Sequence, residues 1–289
     1  MYISKLFNWP ENDIRFPKMP ECIEDGSVIK KTDEITGTTV GEPISRLMMY
    51  VSTMAQSDKY KNYNLCVYGI TRDQIWDFMF KKSKGAEIGV KEGSHAESIL
   101  KCEPKYLYLI DPWIDQSVLQ NETSVIDDGR RIGVHGTKEF SIVKNKFSGM
   151  EGVKLLRGFS YEEKVLNKIK DGFLDWVYID GDHTYEGIKK DLEIYDKKLK
   201  SDGFFIGHDF VHATHKTFMK KRLPELNNDA IGAIKAVTEF INEKGYYLAF
   251  ITNELIPSFF IAKDPSSKKF RKMINRIHEY TILKMANEE

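Results

Sequence analysis

From residue 86 onward, short apolar runs alternate with longer stretches in which apolar residues recur every three or four positions. The runs are AEIGV (86–90), YLYLID (106–111), VKLL (153–156), LDWVYID (174–180), GFFIGHD (203–209), YYLAFI (246–251) and SFFIAKD (258–264). Their length and apolar continuity predict strands buried on both faces. Helices are predicted between them at 94–102, 137–147, 160–171, 184–200 and 232–244. In the fourth helix Ile188, Leu192, Tyr195 and Leu199 share one face. Strands alternating with helices predict parallel βαβ units and a sheet covered on both sides. The last two runs are joined by a short turn near Asn253, so the final strand is expected to insert antiparallel.

The flanks differ from this rhythm. The first forty residues lack periodicity and contain Pro10, Pro17 and Pro20, so they read as an irregular arm. Ile44 to Met54 is apolar enough for a buried helix, and Thr71 with Gln74 forms a capping pattern that starts another before IWDFMF. After Asp264, Lys268 to Met285 reads as a basic helix with Phe270, Met273, Ile274 and Ile277 on one stripe, a face for packing on the domain or on a partner subunit. The expected organisation is an N-terminal arm with helices at 1–80, an α/β domain at 81–264 and a C-terminal basic helix at 265–289.

Composition narrows the classes. Lys plus Arg and Asp plus Glu are 43 each, so bulk charge gives no case for a nucleic-acid partner. No run of about eighteen apolar residues suggests a membrane span, and MYISKLFNWPEND lacks the apolar stretch of a signal segment. Cys22, Cys66 and Cys102 are scattered and form no C-x-x-C pair. This fits a reducing cytoplasm and argues against a disulfide framework or a zinc-thiolate site.

Candidate chemistry gathers at strand ends. The first main strand runs into E-I-G-V-K-E-G, with Glu87, Gly89 and Gly93, and Ser94 with Glu97 is expected to cap the helix that follows. Glycines let a ligand approach the backbone, and a helix N-terminus favours an anionic group. Lys91 occupies the second glycine position of the dinucleotide fingerprint, which counts against a nicotinamide-dependent oxidoreductase. The second strand ends in Asp111, placed to accept hydrogen bonds from ribose hydroxyls. The third runs into Gly158, Phe159 and Ser160, near where an adenine would lie. Ser160 with Glu163 forms another capping pattern.

The stretch DWVYIDGDHTYEGI delivers Asp180, Asp182 and His183 to the C-terminal edge of a buried strand, and the next strand delivers His208 and Asp209 to the same edge. Open α/β sheets bind ligands at that edge. His183 or Asp182 is positioned to act as a general base. Asp182 could equally cap the next helix. Asp180 and Asp209 are hard oxygen donors that suit a magnesium ion.

AEIGVKEG, YLIDPW and above all WVYIDGDHTYEGIKKDLEIYDKKLKSDGFFIGHDF resemble the class I S-adenosylmethionine-dependent methyltransferases over roughly residues 85–264. More narrowly, they resemble the sugar O-methyltransferases of macrolide and aminocoumarin tailoring and of polysaccharide synthesis. The resemblance implies a Rossmann-like seven-stranded, mostly parallel sheet of order 3-2-1-4-5-7-6, with S-adenosylmethionine as methyl donor. Its contacts would be Glu87, Gly89, Gly93, Ser94, Asp111, Phe159, Ser160 and Asp180. The metal position of metal-dependent members falls on Asp180, His208 and Asp209, where one acid has become histidine. Members that use a histidine base match His183, and members that use an aspartate base match Asp182.

The resemblance also implies a homo-oligomer and a small-molecule acceptor, here a nucleotide-activated sugar. In VHATHKTFMKKR, the residues Lys220, Lys221 and Arg222, together with His208, are candidates to hold its diphosphate. The long connection Trp113 to Gly136 is a candidate wall of the acceptor pocket. A non-sugar acceptor, or a non-catalytic nucleotide-binding module on the same fold, are the competing readings.

Overall fold

A computed structural model describes residues 67–68, 70–114, 136–210, 232–252 and 257–286. The N-terminal arm, the 44–54 helix, most of the 113–136 connection, the basic segment with Lys220, Lys221 and Arg222, and the turn near Asn253 lie outside the described residues.

The chain enters through a two-residue strand β1 (Val67–Tyr68) and helix α1 (Arg72–Phe78), where Gln74 Oε1 accepts from the Thr71 amide at 2.9 Å. Strand β2 (Lys84–Ile88) leads to α2 (Ser94–Ile99), and β3 (Tyr106–Asp111) precedes α3 (Thr137–Phe147). Next come β4 (Val153–Arg157), α4 (Glu163–Leu166), β5 (Leu174–Ile179) and α5 (Tyr185–Asp196). The chain continues through β6 (Leu199–Gly207), α6 (Ala233–Lys244), β7 (Tyr247–Thr252), β8 (Phe259–Ala262) and α7 (Lys268–Ala286).

The sheet order is β4-β3-β2-β5-β6-β8-β7-β1. Counted from β2, the seven main strands run 3-2-1-4-5-7-6, and β8 is antiparallel to both neighbours, as expected. The short β1 adds an eighth strand at the edge, parallel to β7. The α/β reading of the fold holds.

Strand alternation sorts the core into two layers. Trp176, Tyr178, Phe204 and Ile206 face α1, α2, α3 and α7, whereas Val177, Ile179 and Phe205 face α4, α5 and α6. The stripe Phe270, Met273, Ile274 and Ile277 of α7 is buried in the first layer, so the basic helix packs on the domain. Each such side chain contributes about 1.5–3 kcal/mol by leaving water. Arg276 binds the Asp77 and Phe78 carbonyls at 2.7 and 2.8 Å, capping the end of α1.

One predicted helix is much shorter than its periodicity suggested. Instead of 160–171, only Glu163–Leu166 is helical. Glu162 closes a turn on Phe159 first, its Oε2 accepting from the Phe159 amide at 2.9 Å. Beyond the helix, the Lys168 and Ile169 amides bond three residues back, and the Lys198 ammonium takes the Ile169 carbonyl. These contacts stop the α-helical ladder.

Candidate active site

The turn after β2 follows from its glycines and from one aspartate. Gly89 has φ +85°, and a Cβ there would lie 2.1 Å from the Asp180 carbonyl oxygen, so the turn is pressed against the end of β5. The Asp111 carboxylate holds this turn from β3. Its Oδ2 accepts from the Val90 and Lys91 amides, both at 3.0 Å, and its Oδ1 from the Trp113 amide at 2.8 Å. Lys91 stands at φ +55°, a strained conformation for a side-chain-bearing residue, and its bonded amide helps to fix it there. Asp111 is only 1 % exposed. Beside the ribose role expected from its strand-end position, Asp111 has a structural one: it organises the turn after β2.

Gly93, at φ +78°, occupies the N-cap of α2, and Ser94 is the first helical residue. The capping pattern read for Ser94 and Glu97 therefore does not form, because the helix begins at Ser94 itself. Glu97 pairs instead with Lys146 at 2.8 Å. The Ser160–Glu163 pattern fails likewise. Ser160 Oγ donates to Asp191 Oδ1 at 2.5 Å, and Glu162 is the N-cap of α4. Phe159 is half-buried and stacks on Tyr161 with ring centroids 5.3 Å apart.

Beneath the turn, β2 places Glu87 in the layer covered by α1. Glu87 Oε1 lies 2.9 Å from His95 Nδ1, and the Trp76 indole N–H donates to His95 Nε2 at 3.0 Å. An indole nitrogen only donates, so His95 Nε2 accepts, and Nδ1 carries the proton given to Glu87. Burial, then the Arg72 charge, holds His95 down at about 4, so this is a hydrogen bond of a neutral imidazole. Burial and the neighbouring Asp180 push the Glu87 carboxyl well above the usual range. Glu87 Oε2 is buried without a hydrogen-bond partner among the described residues. Trp76, His95 and Arg72 were not legible as site residues, since nothing in their local sequence marks them.

The ends of β5 and β6 bring the acids and imidazoles together. His183 Nδ1 is 2.8 Å from Asp209 Oδ2, and His208 Nδ1 is 3.4 Å from the same oxygen. His208 Nδ1 is 3.7 Å from Asp180 Oδ1, and the Arg72 guanidinium lies 3.3 Å from Asp180 Oδ2. Burial alone would raise the Asp209 carboxyl, but hydrogen bonds from His183 and His208 outweigh it and hold it well below the carboxylate range. Burial likewise opposes charge on His183, yet the bond to Asp209 raises it to about 9. Burial raises Asp180 against the pull of the histidines.

Asp182 stands apart from this cluster. It is exposed, its Oδ1 accepts from the Thr184 amide at 3.0 Å, and a Cβ on Gly187 would meet its carboxyl. The cap of α5 is Thr184, whose side chain accepts from the Gly187 amide at 3.1 Å.

Donor atoms of Asp180, His183 and Asp209 lie within 4.8 Å of one another, so two carboxylates and an imidazole fit a divalent cation. This set has His183 where the sequence reading placed His208. The same atoms are already paired internally, Asp209 with His183 and Asp180 with Arg72.

Residues 86–210 match the family described as a methyltransferase domain. No curated protein matches the chain. Among solved structures, an S-adenosylmethionine-dependent methyltransferase from Aquifex aeolicus is similar at 11 % identity, with 78 % of this chain and 100 % of that one covered and a TM-score of 0.45. Fibrillarin from Aeropyrum pernix, solved with natively bound S-adenosyl-L-methionine, is similar at 7 % identity over 63 % of this chain and 67 % of that one, TM-score 0.43. Precorrin-6y C5,15-methyltransferase from Geobacter metallireducens shows 14 % identity over 66 % and 85 %, TM-score 0.41. The family match spans the glycine turn and both strand ends of the site, so residues 86–210 are similar to a methyltransferase domain, on a Rossmann-like sheet order.

Proposed function

We propose that this protein transfers a methyl group from S-adenosylmethionine to a hydroxyl of a sugar, specifically a nucleotide-activated sugar used in surface-polysaccharide or natural-product synthesis. The observation that carries the reading is the His183–Asp209 pair, at 2.8 Å, on the rim beside the glycine turn. An alcohol is a weak nucleophile, so the protein must align it and remove its proton. With Nδ1–H directed at Asp209, His183 takes the hydroxyl proton on Nε2 once it has lost its own, so turnover should rise as pH approaches about 9. The acceptor oxygen bonds to the methyl carbon, the carbon–sulfur bond breaks, and its electron pair stays on sulfur, leaving S-adenosylhomocysteine. Asp182, committed to the turn before α5, is the lesser candidate for the base.

The donor lies over the turn in this reading. Gly89, Gly93 and Ser94 present backbone to its amino-acid end, Glu87 and Asp180 face its ammonium, Asp111 supports the turn and its ribose, and Phe159 with Ser160 borders its adenine. The acceptor side is supported by chain geometry. Phe210, next to Asp209, and Gly232, whose amide donates to the His183 carbonyl at 2.8 Å, bracket the segment that contains Lys220, Lys221 and Arg222. The described residues on either side of that segment thus lie near the His183 rim, and its lysine and arginine side chains are of a type that suits a diphosphate. His208 lines the same rim.

The test is transfer of a labelled methyl group to a panel of nucleotide sugars, free sugars and simple phenols. Product with nucleotide sugars, weakened by replacing Lys220, Lys221 and Arg222 with alanine, supports the reading. Product with phenols alone would replace the sugar acceptor with a non-sugar one. A second reading rests on the Asp180, His183 and Asp209 donor set. A magnesium ion held there would supply Lewis-acid stabilisation of the acceptor oxygen. Turnover lost on chelation and restored by magnesium would favour it.

A further inference from the structure

The family match begins at residue 86, yet the most buried polar chain at the site starts at residue 76. Trp76 on α1 donates to His95 on α2, which donates to Glu87 on β2, and the chain ends on a carboxyl oxygen, Glu87 Oε2, that is buried and has no partner among the described residues. A buried acceptor left unpaired is costly, so native structures seldom leave one without a use. Glu87 sits within electrostatic reach of Asp180, Arg72 and Asp111, the groups of the rim itself.

We propose that Trp76 and His95 are positioning residues that hold one oxygen of Glu87, so that the other stays directed at the ammonium group of the methyl donor. The inference rests on the donor reading given above. Trp76 fixes the imidazole tautomer, because an indole nitrogen can only donate. The tautomer in turn commits His95 Nδ1–H to Glu87 Oε1 and leaves Oε2 to the ligand. The His95 and Tyr178 ring centroids lie 4.1 Å apart, and those of Trp76 and Trp176 4.7 Å, so each ring packs against an aromatic neighbour. Helix α1 is itself held from the far end of the chain by Arg276 of α7. Segments on both sides of the matched span thereby complete the donor site.

Calorimetric titration of the full chain with two nucleosides tests this. S-adenosylhomocysteine carries the amino-acid group, and 5′-methylthioadenosine lacks it. Trp76→Phe and His95→Leu should each weaken S-adenosylhomocysteine about tenfold, the scale of one charge-assisted hydrogen bond, and leave 5′-methylthioadenosine unchanged. His95→Asn, whose amide can replace the Nδ1–H donor, should keep S-adenosylhomocysteine affinity within about threefold. Thermal unfolding of each variant identifies any that fails to fold, and the His95→Asn and His95→Leu pair then decides by itself. Equal losses for both nucleosides, or for both His95 variants, would overturn the relay. Failure of the unaltered chain to bind either nucleoside would overturn the donor reading beneath it.

Discussion

His183 and Asp209 meet Nδ1 to Oδ2 at 2.8 Å, although they stand on different strand ends. The register of β5 with β6 brings this about. Ile179 pairs with Gly207, and the His208 amide donates to the Ile179 carbonyl at 3.0 Å, so the two strands end level. Asp209 stands at φ +55° with its carboxylate on His183. Such a conformation costs a non-glycine residue about 1–2 kcal/mol, and persists because the surrounding bonds hold it.

Removing the imidazole should separate chemistry from donor binding. His183→Ala is expected to lower the methyl-transfer rate about 10²- to 10⁴-fold, the range of a lost general base. Affinity for S-adenosylhomocysteine, measured by calorimetry, should stay within about threefold. Undiminished turnover would take the base role away from His183.

Asp209 should matter through His183. Asp209→Asn keeps the shape but removes the negative charge that stabilises the imidazolium, and single-turnover rates should fall about 10- to 100-fold. The His183→Ala/Asp209→Asn double variant should be no slower than His183→Ala alone. Additive losses would mean that the two residues act separately.

Gly89 can be tested against an internal control. Gly89 and Gly149 share nearly the same φ, +85° and +87°, but a Cβ at Gly149 meets nothing within 4 Å. Gly149→Ala should cost only the conformational penalty, about 1–2 kcal/mol. Gly89→Ala adds a clash with the Asp180 carbonyl, and should cost more in urea unfolding and abolish nucleoside binding. Equal costs would show that the turn is not pressed against β5.

Asp191 gives a pH dependence that can be isolated. Burial pushes its carboxyl up to about 7, with the Ser160 hydroxyl bond opposing. The folded chain therefore keeps a proton that the unfolded chain loses near pH 4, and this contribution to stability declines as pH rises from about 4 to about 7. Asp191→Asn removes that decline. Between pH 5 and 8 the stability difference should move in favour of the variant by about 3 kcal/mol in urea unfolding. Parallel pH profiles for the two proteins would refute it.

Much of the architecture was legible in the chain. Apolar runs placed every main strand, and the span 137–147 of α3 matched to the residue. These features depend on neighbours a few positions away, which the sequence displays directly. Two helix expectations failed: that at 160–171, because the distant Lys198 side chain and a closing turn at Glu162 overrode local periodicity, and the end of that at 184–200, where α5 stops at Asp196 and Leu199 opens β6.

Strand ends named Asp111, Asp180, His183, His208 and Asp209 as rim residues, because parallel sheets deliver such positions to one edge. Which of them touch was settled only by the tertiary structure. Asp111 turned out to grip three backbone amides, and Asp209 to stand behind His183. Trp76, His95 and Arg72 entered the site with no local signal, Trp76 and Arg72 on the helix that precedes the first main strand and His95 on the helix that follows it. Pattern along a chain reports which face a residue occupies. Contact between residues from different elements depends on strand register and helix packing, and those are set by the whole core at once.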